Sequence, residues 1–210
     1  MTAQTSEQSL RRLVDAIVAN DAVSFSELID GSPALAIASF TEGATRQAAR
    51  PSLCFIREIG HNIYAGDTAL HFAAAAYRQE MATQLVKAGA KIHARNRRGG
   101  EPLHAAAFGN PDSPGWDPAA QTLTIEFLIG AGADPNAQNM DGATPLHRAV
   151  RTRCAAAVRA LLDHGADPTI RNKNGSTAMN LALHTTGRSG AGSPAAKAQQ
   201  QEILQLLQRR

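Results

Sequence analysis

Asp141-Gly-Ala-Thr-Pro-Leu-His147, followed further along by Gly165-Ala-Asp-Pro168, decides how the chain folds. Gly142 supplies a turn position at which positive φ costs little. Thr144 can cap a helix, and Pro145 fits its first turn, where the missing N–H is harmless. Leu146, Ala149 and Val150 then recur at helical spacing. Val158, Leu161 and Leu162 make a second helix, and Gly165 is placed to end it.

The unit recurs. Thr68-Ala-Leu-His71, Glu101-Pro-Leu-His104, Thr144-Pro-Leu-His147 and Thr177-Ala-Met-Asn180 fill the same four positions at intervals of 33, 43 and 33 residues. The closing glycines Gly89, Gly132 and Gly165 stand 43 and 33 apart, so the third unit is the same unit with ten residues inserted between its helices. A period of 33 with this Thr-Pro-Leu-His signature resembles the ankyrin repeat family, over about residues 61–183. The fold class expected is an all-α solenoid of stacked helix-turn-helix units with β-hairpin loops, about four clear repeats long. The expected divisions are 1–66, a pair of degenerate N-terminal capping repeats; 67–99; 100–142, bearing the insert; 143–175; and 176–210, a C-terminal cap.

Outside the regular units the pattern weakens. Leu10, Leu13, Val14, Ile17 and Val18 fall on one face of a helix over 6–19, capped by Thr5 or Ser6. Phe25, Leu28 and Ile29 form a second short helix after Asn20-Asp21. Ser32-Pro33 restarts a helix through Leu35, Ile37 and Phe40. Pro51 opens another with Leu53, Cys54, Phe55, Ile56 and Ile59. The last helix, 195–207, carries a polar face of Lys197, Gln199, Gln200, Gln201 and Gln205, as a terminal cap should.

The 210 residues carry a net charge of +3, unevenly placed. Residues 1–60 hold five Arg and Lys against seven Asp and Glu, and the remainder hold sixteen against eleven, so the repeats are the basic part. Aromatics are scarce and not interleaved with the basic residues, which disfavours nucleic acid. Cys54 and Cys154, a hundred residues apart, make neither a disulfide framework nor a metal motif and read as small core residues. With no apolar stretch fit for a signal peptide or membrane span, a cytoplasmic protein with no membrane association is expected. Abundant alanine and arginine suggest a GC-rich bacterial genome.

No residue pattern points to catalysis or a cofactor. His71, His104 and His147 occupy one position in successive repeats. The resemblance gives them a local bond to the preceding threonine and a tether to the next turn, whereas a metal would need them to converge. Glu101 stands where the other units have threonine, suited to a helix start rather than to acid–base work without a second carboxylate. Gly187-Arg-Ser-Gly-Ala-Gly-Ser-Pro194 lacks the strand and the Gly-Lys-Ser/Thr of a phosphate loop. Arg188 with the following helix start leaves room for an anion, and the 110–118 and 185–194 loops give the alternative reading, a small-ligand or anion-binding regulatory site.

The resemblance implies a non-enzymatic, monomeric interaction scaffold that holds a partner protein in the concave groove between hairpin tips and inner helices. The matching positions include Tyr64, Asp67, Arg97, Arg98, Met140 and Lys173 at the tips, with Phe72, Phe108, Arg151 and His184 on the inner helices. Arg95-Asn-Arg-Arg98 is the expected electrostatic anchor for an acidic partner segment. A second candidate surface lies at the opposite edge, where Tyr77, Trp116, Arg153 and Arg188 fall between paired helices and should cluster. Trp116, the only tryptophan, either pins the insert or contacts a partner.

Overall fold

Among the described residues, five helix pairs stack in chain order. They are α1 (Ala3–Ala19) with α2 (Ala22–Gly31), α3 (Ala69–Ala75) with α4 (Gln79–Lys87), α5 (Pro102–Ala106) with α6 (Pro118–Gly130), α7 (Pro145–Arg151) with α8 (Ala155–Asp163), and α9 (Ala178–His184) with α10 (Pro194–Gln208). The computed structural model describes residues 3–44, 54–113, 116–184 and 193–209. The first helix of each pair packs on the first helix of the next, forming an inner row; α4, α6, α8 and α10 do the same in an outer row. The core runs through all the pairs, from Leu13 and Ile17 through Leu70 and Leu85, Leu103 and Leu128, and Leu146 and Leu161 to Ile203. Each pair is too small to bury its own apolar face, so the core exists only through stacking.

In the first, second and fourth pairs the chain turns between the helices through a left-handed residue. Asn20, Tyr77 and Arg153 hold φ of 58°, 57° and 58° at equivalent places, although none is glycine. Such residues cost energy there and persist because their surroundings hold them. In the third unit Gly109 takes the place before the insert. A Cβ on it would lie 2.6 Å from Cys154 Sγ, 2.8 Å from Trp116 Nε1 and 3.1 Å from the Tyr77 hydroxyl, so any larger residue would have to displace these side chains.

Three expectations for the N-terminal part are corrected. The first helix begins at Ala3, ahead of Thr5 and Ser6. The helix expected through Phe40 is only a 3-10 turn, Pro33–Ala36. Beyond it the chain runs extended beside the next hairpin: the Phe40 amide donates to the Asp67 carbonyl at 2.9 Å, and the Ala44 amide to the Ile63 carbonyl at 2.7 Å. That conformation turns Phe40 onto Phe72, ring centroids 5.7 Å apart. The helix expected from Pro51 to Ile59 is a hairpin over its described part. Strands β1 (Phe55–Ile56) and β2 (His61–Asn62) pair antiparallel about the 3-10 turn Arg57–Ile59 and left-handed Gly60. Phe55 is exposed and Ile56 buried, a period of two that the short apolar run did not separate from a helix. Pro51 and Leu53 lie outside the described residues.

In the last described pair Asn180 stands where the other units have the repeat histidine, and its Oδ1 still accepts the Thr177 amide at 3.1 Å. In α10, Lys197, Gln201 and Gln205 are exposed. Gln199 and Gln200 instead bond the Ala155 amide at 2.9 Å and the Ala182 carbonyl at 2.7 Å.

Candidate functional site

The groove is built by a bond pattern repeated in each hairpin. Asn96 Oδ1 accepts the amides of Arg98 and Gly100 at 2.9 and 3.0 Å. Asn139 does the same for Asp141 and Ala143, and Asn172 for Asn174 and Ser176. These Asx turns fix the tips without strands, so the hairpin loops carry no β-ladder. Neighbouring tips then join: the Arg97 amide donates to Ala65 at 2.6 Å, Met140 to Arg98 at 2.9 Å and Lys173 to Asp141 at 2.9 Å.

The histidines tie the tips to the inner helices. His71 Nδ1 accepts the Thr68 amide at 3.1 Å, and its Nε2 meets the Gly100 carbonyl at 3.1 Å. His147 repeats this with Thr144 at 3.2 Å and Ser176 at 2.9 Å. A carbonyl only accepts, so Nε2 carries the proton and the ring is neutral. Burial holds His71 and His147 below the usual histidine pKa and pushes His104 down to about 4. Both nitrogens of each ring are thus committed to structure. Glu101 keeps the reciprocal capping box with His104 and is buried, paired with Arg95 at 3.0 Å and His93 at 3.2 Å.

Tyr64, Arg98, Arg151 and Lys173 line one groove of about 380 Å³, together with Arg148, Asp141 and the three turn asparagines. Arg98 pairs with Asp141 at 3.1 Å and lies 5.8 Å from the Tyr64 ring centroid. Arg97 is exposed and donates to the Ala44 carbonyl. Each arginine of the 95–98 hairpin therefore has an internal partner. Met140 stands 62% exposed at its tip, Phe108 is half-buried, and His184 is exposed at the end of α9, outside the groove lining.

Two expected contact residues are not available to a partner. Asp67 is fully buried, its carboxylate accepting the Tyr64 amide at 2.7 Å and Asn96 Nδ2 at 2.8 Å. Burial alone would raise its pKa, but His61 Nε2 at 3.5 Å, the facing His71 and Asn96 outweigh it and hold the carboxyl below the usual range. Phe72 is buried because the β1–β2 hairpin folds over that end: the His61 ring meets it edge-on, centroids 5.5 Å apart. A Cβ on Gly60 would sit 3.3 Å from the Phe108 ring, so the hairpin also packs against that ring.

Sequence reasoning passed over Arg148. It follows the repeat histidine, where the other units have Phe72, Ala105 and Leu181, so a cation at an otherwise apolar inner position was the available signal. Its guanidinium lies 5.1 Å from the Phe108 ring centroid.

At the opposite edge, Tyr77, Trp116 and Cys154 converge on Gly109, and Arg153 is buried beside Cys154. Trp116 is half-buried against the core, and its Nε1 donates to Gln121 Oε1 at 2.9 Å. Gln121 Nε2 in turn reaches the Ala106 carbonyl at 2.9 Å, and the Tyr77 hydroxyl donates to the Phe108 carbonyl. Ser193 donates to Asp112 at 2.6 Å, which fixes the insert to the start of α10. A cleft of about 320 Å³ lies between Trp116, Thr122, Arg159 and Glu202. Burial pushes the Cys154 thiol up to about 11. Arg188, and with it most of the 185–194 loop, lies outside the described residues.

Stacked helix pairs, tips joined by backbone bonds and a histidine tether to the next turn define a repeat array. Family models described as "Ankyrin repeat" match residues 65–97 and 99–140, and one described as "Ankyrin repeats (many copies)" matches 128–182. The chain belongs to the ankyrin-repeat family. Comparison with curated proteins found no match. Ankyrin repeats are generally protein–protein interaction modules, and proteins built from them are generally non-enzymatic scaffolds. Among the described residues, no helix is long and apolar enough to cross a membrane.

Proposed function

We propose that the protein is a non-enzymatic scaffold that holds an acidic segment of a partner protein in the concave groove. The observation that carries this is the charge balance of the groove. Of its lining cations Arg98, Arg148, Arg151 and Lys173, only Arg98 has a carboxylate partner among the described residues, Asp141 at 3.1 Å. Glu101, the other acid in the lining, is occupied by Arg95 and His93. Tyr64 and exposed Met140 add apolar contact area beside the charge, the mixture favoured at interfaces. Arg97 stands at the rim, and the tips are fixed by backbone bonds, so binding needs little ordering of the scaffold. The protein acts as a monomer in the cytoplasm.

The test is capture of partners from a lysate of the source organism with the parent and with Met140→Glu/Lys173→Glu. Both side chains are exposed, so the melts should match. Loss of the captured protein with unchanged melts supports groove binding. Equal recovery moves the site to the Trp116 edge.

A further inference from the structure

We propose that Arg148 and Arg151 form a seat for one carboxylate of the bound segment. This rests on the groove reading and names its anchor, which is neither Arg97 nor Arg98.

Arg148 and Arg151 lie three residues apart on α7, on one face of the helix and both in the groove lining. In the row of inner positions after the repeat histidine, Ala105 is small. Ala105 and Arg148 both line the groove, and the Arg148 guanidinium lies over the Phe108 ring at 5.1 Å. Its Nε is shielded from solvent and bonded to nothing among the described residues. Buried polar groups are ordinarily satisfied, so a guanidinium left without an acceptor here has donors to spare for one from outside. Burial, then Arg151 and Arg98, lower the Arg148 pKa, as expected for a charge facing like charges.

The groove's own acids cannot serve. Asp141 is held by Arg98 at 3.1 Å, and Glu101 by Arg95 at 3.0 Å. A guanidinium with one face against an aromatic ring presents its edge, where donors match a carboxylate fork. Arg151, exposed at the end of α7, supplies the second charge. A glutamate or aspartate of an extended segment running along the tips would reach both.

The probe is a fluorescein-labelled hexaglutamate peptide, titrated by anisotropy at about 50 mM salt, where charge contacts are weakly screened. Arg148→Gln and Arg151→Gln should each weaken binding by about tenfold or more, the scale of a lost close charge pair. Lys87→Gln removes the same charge from the exposed outer helix and should change binding by less than about twofold. Thermal melts accompany each variant, and exposed Arg151 keeps the test valid if Arg148→Gln fails to fold. Equal losses in all three variants, or no binding by the parent, overturn the seat. Displacement of the peptide by inorganic phosphate, beyond that by chloride at equal ionic strength, also overturns it in favour of a phosphate site. Any of these results alongside partner capture that is lost in Met140→Glu/Lys173→Glu removes the seat and leaves groove binding standing; capture that is unchanged in that variant removes groove binding itself.

Discussion

His104 Nε2 lies 3.1 Å from the carbonyl oxygen of Ala143, 39 residues further along the chain, while its Nδ1 accepts the Glu101 amide at 3.2 Å. One neutral ring therefore caps its own helix and holds the next hairpin across the ten-residue insert. Both contacts need the unprotonated Nδ1 and the protonated Nε2, which makes the joint between repeats sensitive to acid.

The pH dependence follows from that tautomer. Burial takes the folded pKa of His104 down to about 4, below the usual 6.5 of the unfolded chain. The unfolded chain thus binds the proton first. The stability tied to neutral His104 is complete above about pH 6.5 and is lost as pH falls toward 4, amounting to roughly 3 kcal/mol. His71 and His147 shift the same way and add to it. Urea denaturation between pH 7 and 4 should show this fall, with a shallower slope in His104→Gln. A parent profile flat through that range would contradict it.

Gly142 has φ of 70°, and a Cβ there would lie 2.9 Å from the Lys173 amide nitrogen. Gly142→Val should destabilise by more than about 1 kcal/mol from the left-handed backbone alone. The crowding against the next tip adds to that cost. Thr144→Ala should cost about 1 kcal/mol through loss of the cap shared with His147. Melting curves that coincide with the parent's would refute both.

Trp116 is predicted to hold the insert in place. Trp116→Ala removes a half-buried ring and its bond to Gln121, and should cost about 2 kcal/mol. Asp117 caps α6 and Pro118 begins it, so excision of 111–120 also removes a helix start and should lower stability further. A tryptophan emission spectrum typical of full solvent exposure in the parent, or an unshifted melt in the variant, would show that the loop is free.

The repeat was legible because its signals are local. Gly142, Thr144, Pro145 and His147 fix a turn, a cap and a helix start within a few residues, and the spacing repeats them. The described parts of 32–66, residues 32–44 and 54–66, were not legible because their conformation is set by distant pairing. Phe40 extends to bond Asp67, and the 55–62 hairpin folds onto Phe72 and Phe108, neither of which local periodicity reports. The same cover explains why Phe72 and Asp67 looked like groove residues from their register yet are buried. Arg148 escaped notice because its environment depends on Ala105 and Phe108 in the neighbouring repeat.

The central claim, that the partner lies in the groove, is tested most directly by photo-crosslinking. A benzophenone amino acid replaces Met140, exposed at a hairpin tip, or Leu123, exposed on outer helix α6. Both variants are irradiated in lysate of the source organism. The account predicts a partner adduct from position 140 and none from position 123. An adduct from position 123 alone, or equal adducts from both, would contradict it.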